Sequence, residues 1–300
     1  MVIAQRCIER KERRGRTAAT VEVGHLPMGH APTTGTGSAV KHHDEALDRY
    51  VRRVASDPGT LGVIVTGSLA RGTERPDSDV DLYLVVTEER WDEAYGVNRL
   101  MFTETDGIDY PDGYFDVKLA TLSYLDDAAE RGDDPVRASF ATSRIVFSRV
   151  DDLAERVERI RFVADDGWDA RVASFVAQAR LHGGYFLDQA SESGDAFLLH
   201  HAAVHLALSA GRAFLAREHT FFGGPKQLMK QVRELRAQPE GFAADLVALV
   251  EHPTRRTADR VLAALEDAVG GALPRDETLS TFILDNELAW RYRTKTPEYS

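Results

Sequence analysis

Cysteine is nearly absent: Cys7 is the single one in 300 residues. That excludes an internal disulfide framework and any Cys-rich zinc site. Long apolar runs are missing as well. None reaches the ~18–20 residues that a helix needs to cross a bilayer, which argues against a membrane-spanning protein. There is no basic excess, because 37 Lys+Arg stand against 48 Asp+Glu for a net charge of −11. Such a chain is not built to coat nucleic acid through bulk charge. It can still handle a single nucleotide through a metal. What is present is apolar material, 43% of residues, enough for a sizeable core and too much for wholesale disorder. At roughly 150 residues per domain, the length predicts one large or two ordinary domains.

Residues 1–40 differ from the rest. Arg6, Arg10, Lys11, Arg13, Arg14 and Arg16 cluster together, and a Gly/Pro/Thr/Ser stretch without hydrophobic period runs from Gly24 to Ser38. A secretory signal would place ~7–15 apolar residues after the charges, and none is there. The segment reads as a poorly ordered leader without catalytic importance, and cytoplasm is the expected location.

Beyond it, Asp44–Ala55 repeats apolar residues at helical spacing, with Asp44 able to cap its start. Short β-branched runs at Leu61–Thr66 and Val80–Val86, the alternating Tyr114–Thr121 and the short Ser143–Ser148 read as four strands. Glu88–Arg99 and Leu122–Arg131 read as helices between them. Strands mixed with helices predict a small α/β (α+β) domain over residues 41–155. After Val150 the period changes. Asp169–Ala190, Phe197–Leu215, Pro225–Ala237, Phe242–Glu251, Ala258–Val269 and Glu277–Thr294 form a helical series without a strand, predicting an all-α bundle over 156–300.

Chemistry concentrates between Val65 and Leu84. Gly67-Ser68 is followed by ten residues and then by Asp79-Val80-Asp81. A glycine at the end of a strand lets backbone approach a ligand closely. The N–H groups after it can open a helical turn, and a helix N-terminus attracts phosphate. Asp79 and Asp81 stand at i and i+2 at the start of a strand, so both carboxylates share a face. Two like charges that close call for a cation, and hard oxygen ligands completed by substrate phosphates suit Mg²⁺. Asp116 lies on the later strand Tyr114–Thr121 and joins that face if the two strands are neighbours. Three carboxylates beside a phosphate cradle are the parts for two-metal phosphoryl or nucleotidyl transfer.

This segment resembles the DNA polymerase beta-like nucleotidyltransferase superfamily, whose mark is a Gly-Ser pair after a strand and an Asp-x-Asp about ten residues on. Here Gly67, Ser68, Asp79 and Asp81 match the mark, and Asp116 is the match for the family's third carboxylate. The resemblance covers roughly residues 45–150 and implies a small mixed sheet. The helical part looks like the C-terminal bundle of aminoglycoside-type nucleotidyltransferases in architecture more than in residues. The resemblance implies transfer of a nucleoside monophosphate from an NTP such as ATP to a hydroxyl, with release of pyrophosphate. Asp79 and Asp81 would bind two Mg²⁺ ions, and Asp116 would bind the catalytic one or accept the acceptor's proton. Gly67 and Ser68 would hold the β- and γ-phosphates. Partners would be the NTP and a small-molecule hydroxyl acceptor, an aminoglycoside-like antibiotic being one candidate. No nucleic-acid template is expected, and a shared-site homodimer stays open.

Further residues carry two readings. Arg71, one turn after Ser68, can reach a phosphate or sit in solvent paired with Asp77. Lys226, at a helix start after Gly223-Gly224-Pro225, can meet the triphosphate or lie on a solvated surface. Asp188 is an alternative general base. His182, His201 and His205 lie at helical spacings, and core or cleft packing is favoured over metal ligation. His42-His43 is expected on the surface, and Trp91, Trp168 and Trp290 in the core. Glu104, Asp106, Asp109 and Asp112 form an acidic loop that either attracts a polycationic acceptor or is merely solvated. Two other functions compete with small-molecule transfer: an antitoxin-type protein adenylyltransferase, and a regulatory module that senses nucleotide without turnover.

Overall fold

In the computed structural model the backbone is described for residues 36–297 and the side chains for 41–297. The expected leader, residues 1–40, lies outside the described residues up to 35, and its last five residues are helical instead. Thr36–Val54 is one helix, α1. It begins eight residues before Asp44, so Asp44 is interior to the helix and not its cap. Helix propagates readily from a packed stretch, and here that stretch is Ala46, Leu47 and Tyr50, all buried.

The sheet strands are β1 (Thr60–Val65), β2 (Val80–Val86), β3 (Met101–Glu104), β4 (Phe115–Ala120) and β5 (Arg144–Ser148). Their order is β3-β4-β2-β1-β5. The sheet is mixed: β2 and β4 pair in parallel, and β1/β2, β1/β5 and β3/β4 pair antiparallel. Central β1 and β2 are buried almost throughout, as their Val/Ile/Leu content requires when both faces are covered. One face packs Val63, Val65, Leu82, Leu84 and Val117 against α1. The other packs Ile64, Tyr83, Val85 and Ala120 against α4 (Leu122–Arg131), α5 (Asp134–Ala141) and α6 (Leu153–Arg161). Between β1 and β2 sits a single-turn helix, α2 (Gly67–Arg71), and between β2 and β3 lies α3 (Glu88–Gly96).

Three of these elements, β3, α5 and α6, had not been expected. β3 is an edge strand with no fully buried residue, so its sequence shows no apolar face. α5 starts at the cap Asp133, but its buried residues are Asp134, Arg137 and Phe140, two of them charged. α6 does carry Leu153, Val157 and Ile160 at helical spacing, all buried, between charged residues.

The helical region has its own core. The expected Asp169–Ala190 helix is a longer rod, α7 (Asp165–Arg180), a π-helical segment (Leu181–Phe186) and α8 (Leu187–Ser193). It packs along α9 (Ala196–Arg217), the long central helix capped by Asp195. α10 (Leu228–Glu234), α11 (Phe242–Glu251) and α12 (Arg255–Val269) follow. The expected Glu277–Thr294 helix is interrupted, with α13 (Thr278–Asp285) separated from α14 (Ala289–Tyr292) at Asn286. Trp168 is buried and Trp91 packs on the sheet core, as expected, but Trp290 is 76% exposed, contrary to expectation.

Candidate active site

The end of β1 turns sharply at Gly67, whose φ of +66° lies in the left-handed region that glycine adopts at little steric cost. A second constraint acts on the same residue. A Cβ there would overlap Asp81 Oδ2 and stand 2.7 Å from Asp81 Cγ. The Asp81 carboxylate therefore lies against the bare Cα of the turn. The Thr66 N–H donates to the Asp81 carbonyl at 2.9 Å, which ties the turn to the first rungs of β2. Ser68 follows in α2, half-buried, and Arg71 ends that helix, exposed.

Asp81 stands opposite Asp116 in the parallel β2/β4 register. The same register sets Tyr83 opposite Lys118, so period two places Asp81, Tyr83, Asp116 and Lys118 on one face. Asp79 precedes β2 by one residue. Burial, first of all, pushes the carboxyls of Asp81 and Asp116 above the usual aspartate range. Like charge adds to this: Asp116 and Asp79 raise Asp81, and Asp79 raises Asp116. Lys118 opposes the rise at both, and Arg71 opposes it at Asp81. Lys118 went unnoticed in the sequence, although its position two residues after Asp116 on an alternating strand already places it on the acidic face.

Carboxylate oxygens are the hard donors that magnesium takes. Asp116 Oδ1 is buried without a hydrogen-bond partner. Asp79, Asp81 and Asp116 form no salt bridge among the described residues, and Lys118 and Arg71 compensate their charge only from a distance. Among the described residues no three His, Cys, Asp or Glu side chains are gathered closely enough to enclose a metal ion. The preformed feature is a facing pair, not a closed cage. That suits magnesium, which is held through one or two carboxylates and completes its octahedron with phosphates and water.

The other candidates are placed by their own contacts and exposure. Lys226 is exposed in the turn before α10, not in a helix, and α10 packs within the helical region. Asp77 pairs with Arg75 at 3.5 Å, and Arg71 has no ion pair among the described residues. Asp188 pairs with Arg255 on the helical region. The acidic loop is half neutralised from α1: Arg53 pairs with Glu104 and Asp106, and Arg49 pairs with Asp109 at 3.0 Å. Its expected pull on a polycation is thereby weakened.

His182, His201 and His205 do gather, with ring centroids 4.3–5.7 Å apart beside Phe186 and Phe282. Burial, and then the neighbouring His205 and His201, hold His182 down to about 3, so it is neutral in the folded chain. His43 was expected on the surface and is fully buried. Its Nε2 donates to the Ser78 carbonyl at 3.1 Å.

Residues 47–136 match the nucleotidyltransferase domain family. That segment contains Gly67, Ser68, Arg71, Asp79, Asp81 and Asp116, so the glycine turn and the carboxylates all lie within the matched stretch. The crystal structure of a nucleotidyltransferase-like protein from Exiguobacterium sibiricum 255-15 aligns at a TM-score of 0.42 with 15% identity, over 82% of this chain and 80% of that one. A likeness of that degree is too slight to transfer a substrate. No curated protein matches the chain. No helix among the described residues is long and apolar enough to cross a membrane.

Proposed function

We propose that this chain is a magnesium-dependent nucleotidyltransferase. It moves a nucleoside monophosphate from an NTP, ATP first among them, to a hydroxyl of a small-molecule acceptor and releases pyrophosphate. One observation supports this above the others: Asp81 and Asp116 face each other across a parallel rung, against a glycine turn that opens a helix. In this reading the acceptor oxygen bonds to the α-phosphorus, the bond from that phosphorus to the α–β bridging oxygen breaks, and pyrophosphate leaves with the electron pair. Asp116, raised by burial, takes the hydroxyl proton. Asp79 and Asp81 would hold the metal, with Asp116 as a third ligand where it does not serve as the base. Magnesium, when bound, neutralises the triphosphate and lowers the pKa of the acceptor hydroxyl. The backbone of Gly67 and Ser68 receives the β- and γ-phosphates, and Arg71 and Lys226 are candidate phosphate cations. Lys118, on the acidic face, is a third. The net charge of −11 favours a small acceptor over a nucleic-acid template.

The test is pyrophosphate release from ATP and Mg²⁺, with and without a panel of aminoglycosides and other polyols. Release that depends on one acceptor is expected. Asp81→Asn and Gly67→Ala are each expected to lower it at least about a hundredfold. Labelling of a co-purified protein would instead mark a protein adenylyltransferase, and ATP binding without release a sensor.

A further inference from the structure

The segment that delivers Asp79 to the site is held from outside by three aromatic side chains. Residues 75–78 close on themselves: the Ser78 N–H donates to the Arg75 carbonyl at 2.9 Å, and the Arg75 N–H donates to Ser78 Oγ at 2.9 Å. Two carbonyls of this turn accept from aromatic side chains. His42 Nε2 donates to that of Pro76 at 3.1 Å. The carbonyl of Ser78 accepts from two donors, His43 Nε2 at 3.1 Å and the Tyr110 hydroxyl at 3.1 Å. A carbonyl oxygen has two lone pairs, and both are used. The next residue is Asp79, and after it the Val80 N–H donates to the Tyr114 carbonyl at 2.9 Å. Asp79 thus sits between a doubly held carbonyl and the neighbouring sheet strand.

The donors come from separate parts of the chain. His42 and His43 lie on α1, and Tyr110 lies on the loop between β3 and β4. The three rings pack together at 4.2–4.7 Å between centroids. The loop is shaped to receive the tyrosine, because a Cβ at Gly113 would stand 2.5 Å from Tyr110 Cζ. Burial, and then the charges of Asp79 and Asp109, push the Tyr110 hydroxyl up to about 12, so it keeps its proton and stays a donor at neutral pH.

We infer that His43 and Tyr110 are positioning residues of the transfer site: their shared grip on the Ser78 carbonyl holds Asp79 in register with Asp81 and Asp116 for metal. This rests on the carboxylates being the metal ligands. Neither side chain touches the reacting atoms. Each acts through the backbone of residue 78.

The measurement is the affinity for Mn²⁺ alone, read by the loss of the free-ion electron paramagnetic resonance signal, with thermal unfolding recorded in parallel. Tyr110→Phe keeps the ring packing and removes one donor, and should weaken Mn²⁺ binding about fivefold with little change in melting temperature. His43→Leu should weaken it by a similar factor or more. His43→Gln, whose amide can again donate to the Ser78 carbonyl, should recover most of the loss. Asp79→Asn separates the two ideas. If Asp79→Asn leaves Mn²⁺ affinity unchanged, the metal reading itself is wrong. If Asp79→Asn weakens binding while Tyr110→Phe, in a chain of unchanged stability, binds as the wild type does, the positioning role is wrong and the metal reading stands. Failure of His43→Gln to outperform His43→Leu would likewise overturn the role given to His43.

Discussion

At the scale of single residues, the site is a place where like charges are kept together against their own repulsion. Asp81 and Asp116 are held above the ordinary aspartate range by burial and by neighbouring carboxylates. An acid that titrates higher in the folded chain binds more protons folded than unfolded. Its ionisation therefore removes stability as pH rises from the ordinary aspartate value through the folded one. Asp116→Asn removes that penalty. The metal-free variant is expected to melt above the wild type at pH 7, by on the order of 1–2 °C in a chain of this size. The gain should vanish as pH falls toward 4. Scanning calorimetry across pH checks this, and an equal gain at both ends would point to packing instead of charge. Much of this cluster was legible beforehand. Gly67, Ser68, Asp79 and Asp81 are close in sequence, and alternation along a strand fixes which of them share a face. Asp116 was legible only as a strand residue, because no local pattern states which strands are neighbours. His43 and Tyr110 were not legible, since their partner is a backbone carbonyl more than thirty residues away. A hydrogen bond to a carbonyl leaves no signature in residue type.

At the scale of elements, strong local periodicity was a good guide and its interruptions were not. β2, α4 and α11 fall on their expected spans because apolar spacing, caps and breakers agree there. β3 escaped because an edge strand buries little. The rod from residue 165 to 193 reads as one helix, yet its middle is π-helical, and the wider turn there places Gly183 inside the bundle. A Cβ at 183 would stand 2.8 Å from Leu206 Cδ2 and 3.0 Å from Leu262 Cδ1. The glycine lets the rod approach α9 and α12 closely, a tertiary reason invisible in the sequence, where Gly183-Gly184 only weakens a helical pattern. Gly183→Val is expected to lose about 1–3 kcal/mol through overpacking. Urea unfolding measures it, and a midpoint equal to the wild type would mean that the contact is easily relieved.

At the scale of the whole molecule, a buried ionic junction joins α5, beside the sheet, to the helical region. Asp134 accepts from Arg171 at 3.2 Å and from Arg212 at 3.1 Å. Arg212 is 2% exposed, lies over the rings of Phe175 and Phe222, and donates to the Pro297 carbonyl near the end of the chain. Removing one partner of such a pair strands the other charge away from water. Asp134→Asn is therefore expected to cost about 3 kcal/mol in chemical denaturation, while pyrophosphate release at low temperature persists. A loss of activity without a loss of stability would assign Asp134 a different role. The succession of a mixed sheet and a helical region was readable from the change of hydrophobic period near residue 150. The junction was not, because charged residues on three helices look in sequence like three solvated surfaces.

The facing of Asp81 and Asp116 across a parallel rung has one more consequence. Their spacing is inherited from the roughly 4.8 Å that peptide hydrogen bonding imposes on adjacent strands, and owes nothing to the length of any connection. Connections elsewhere around these strands can lengthen, shorten or change character, while the gauge that meters the two oxygens stays the same. A scaffold of this kind separates what must be constant for chemistry from what can drift for selectivity.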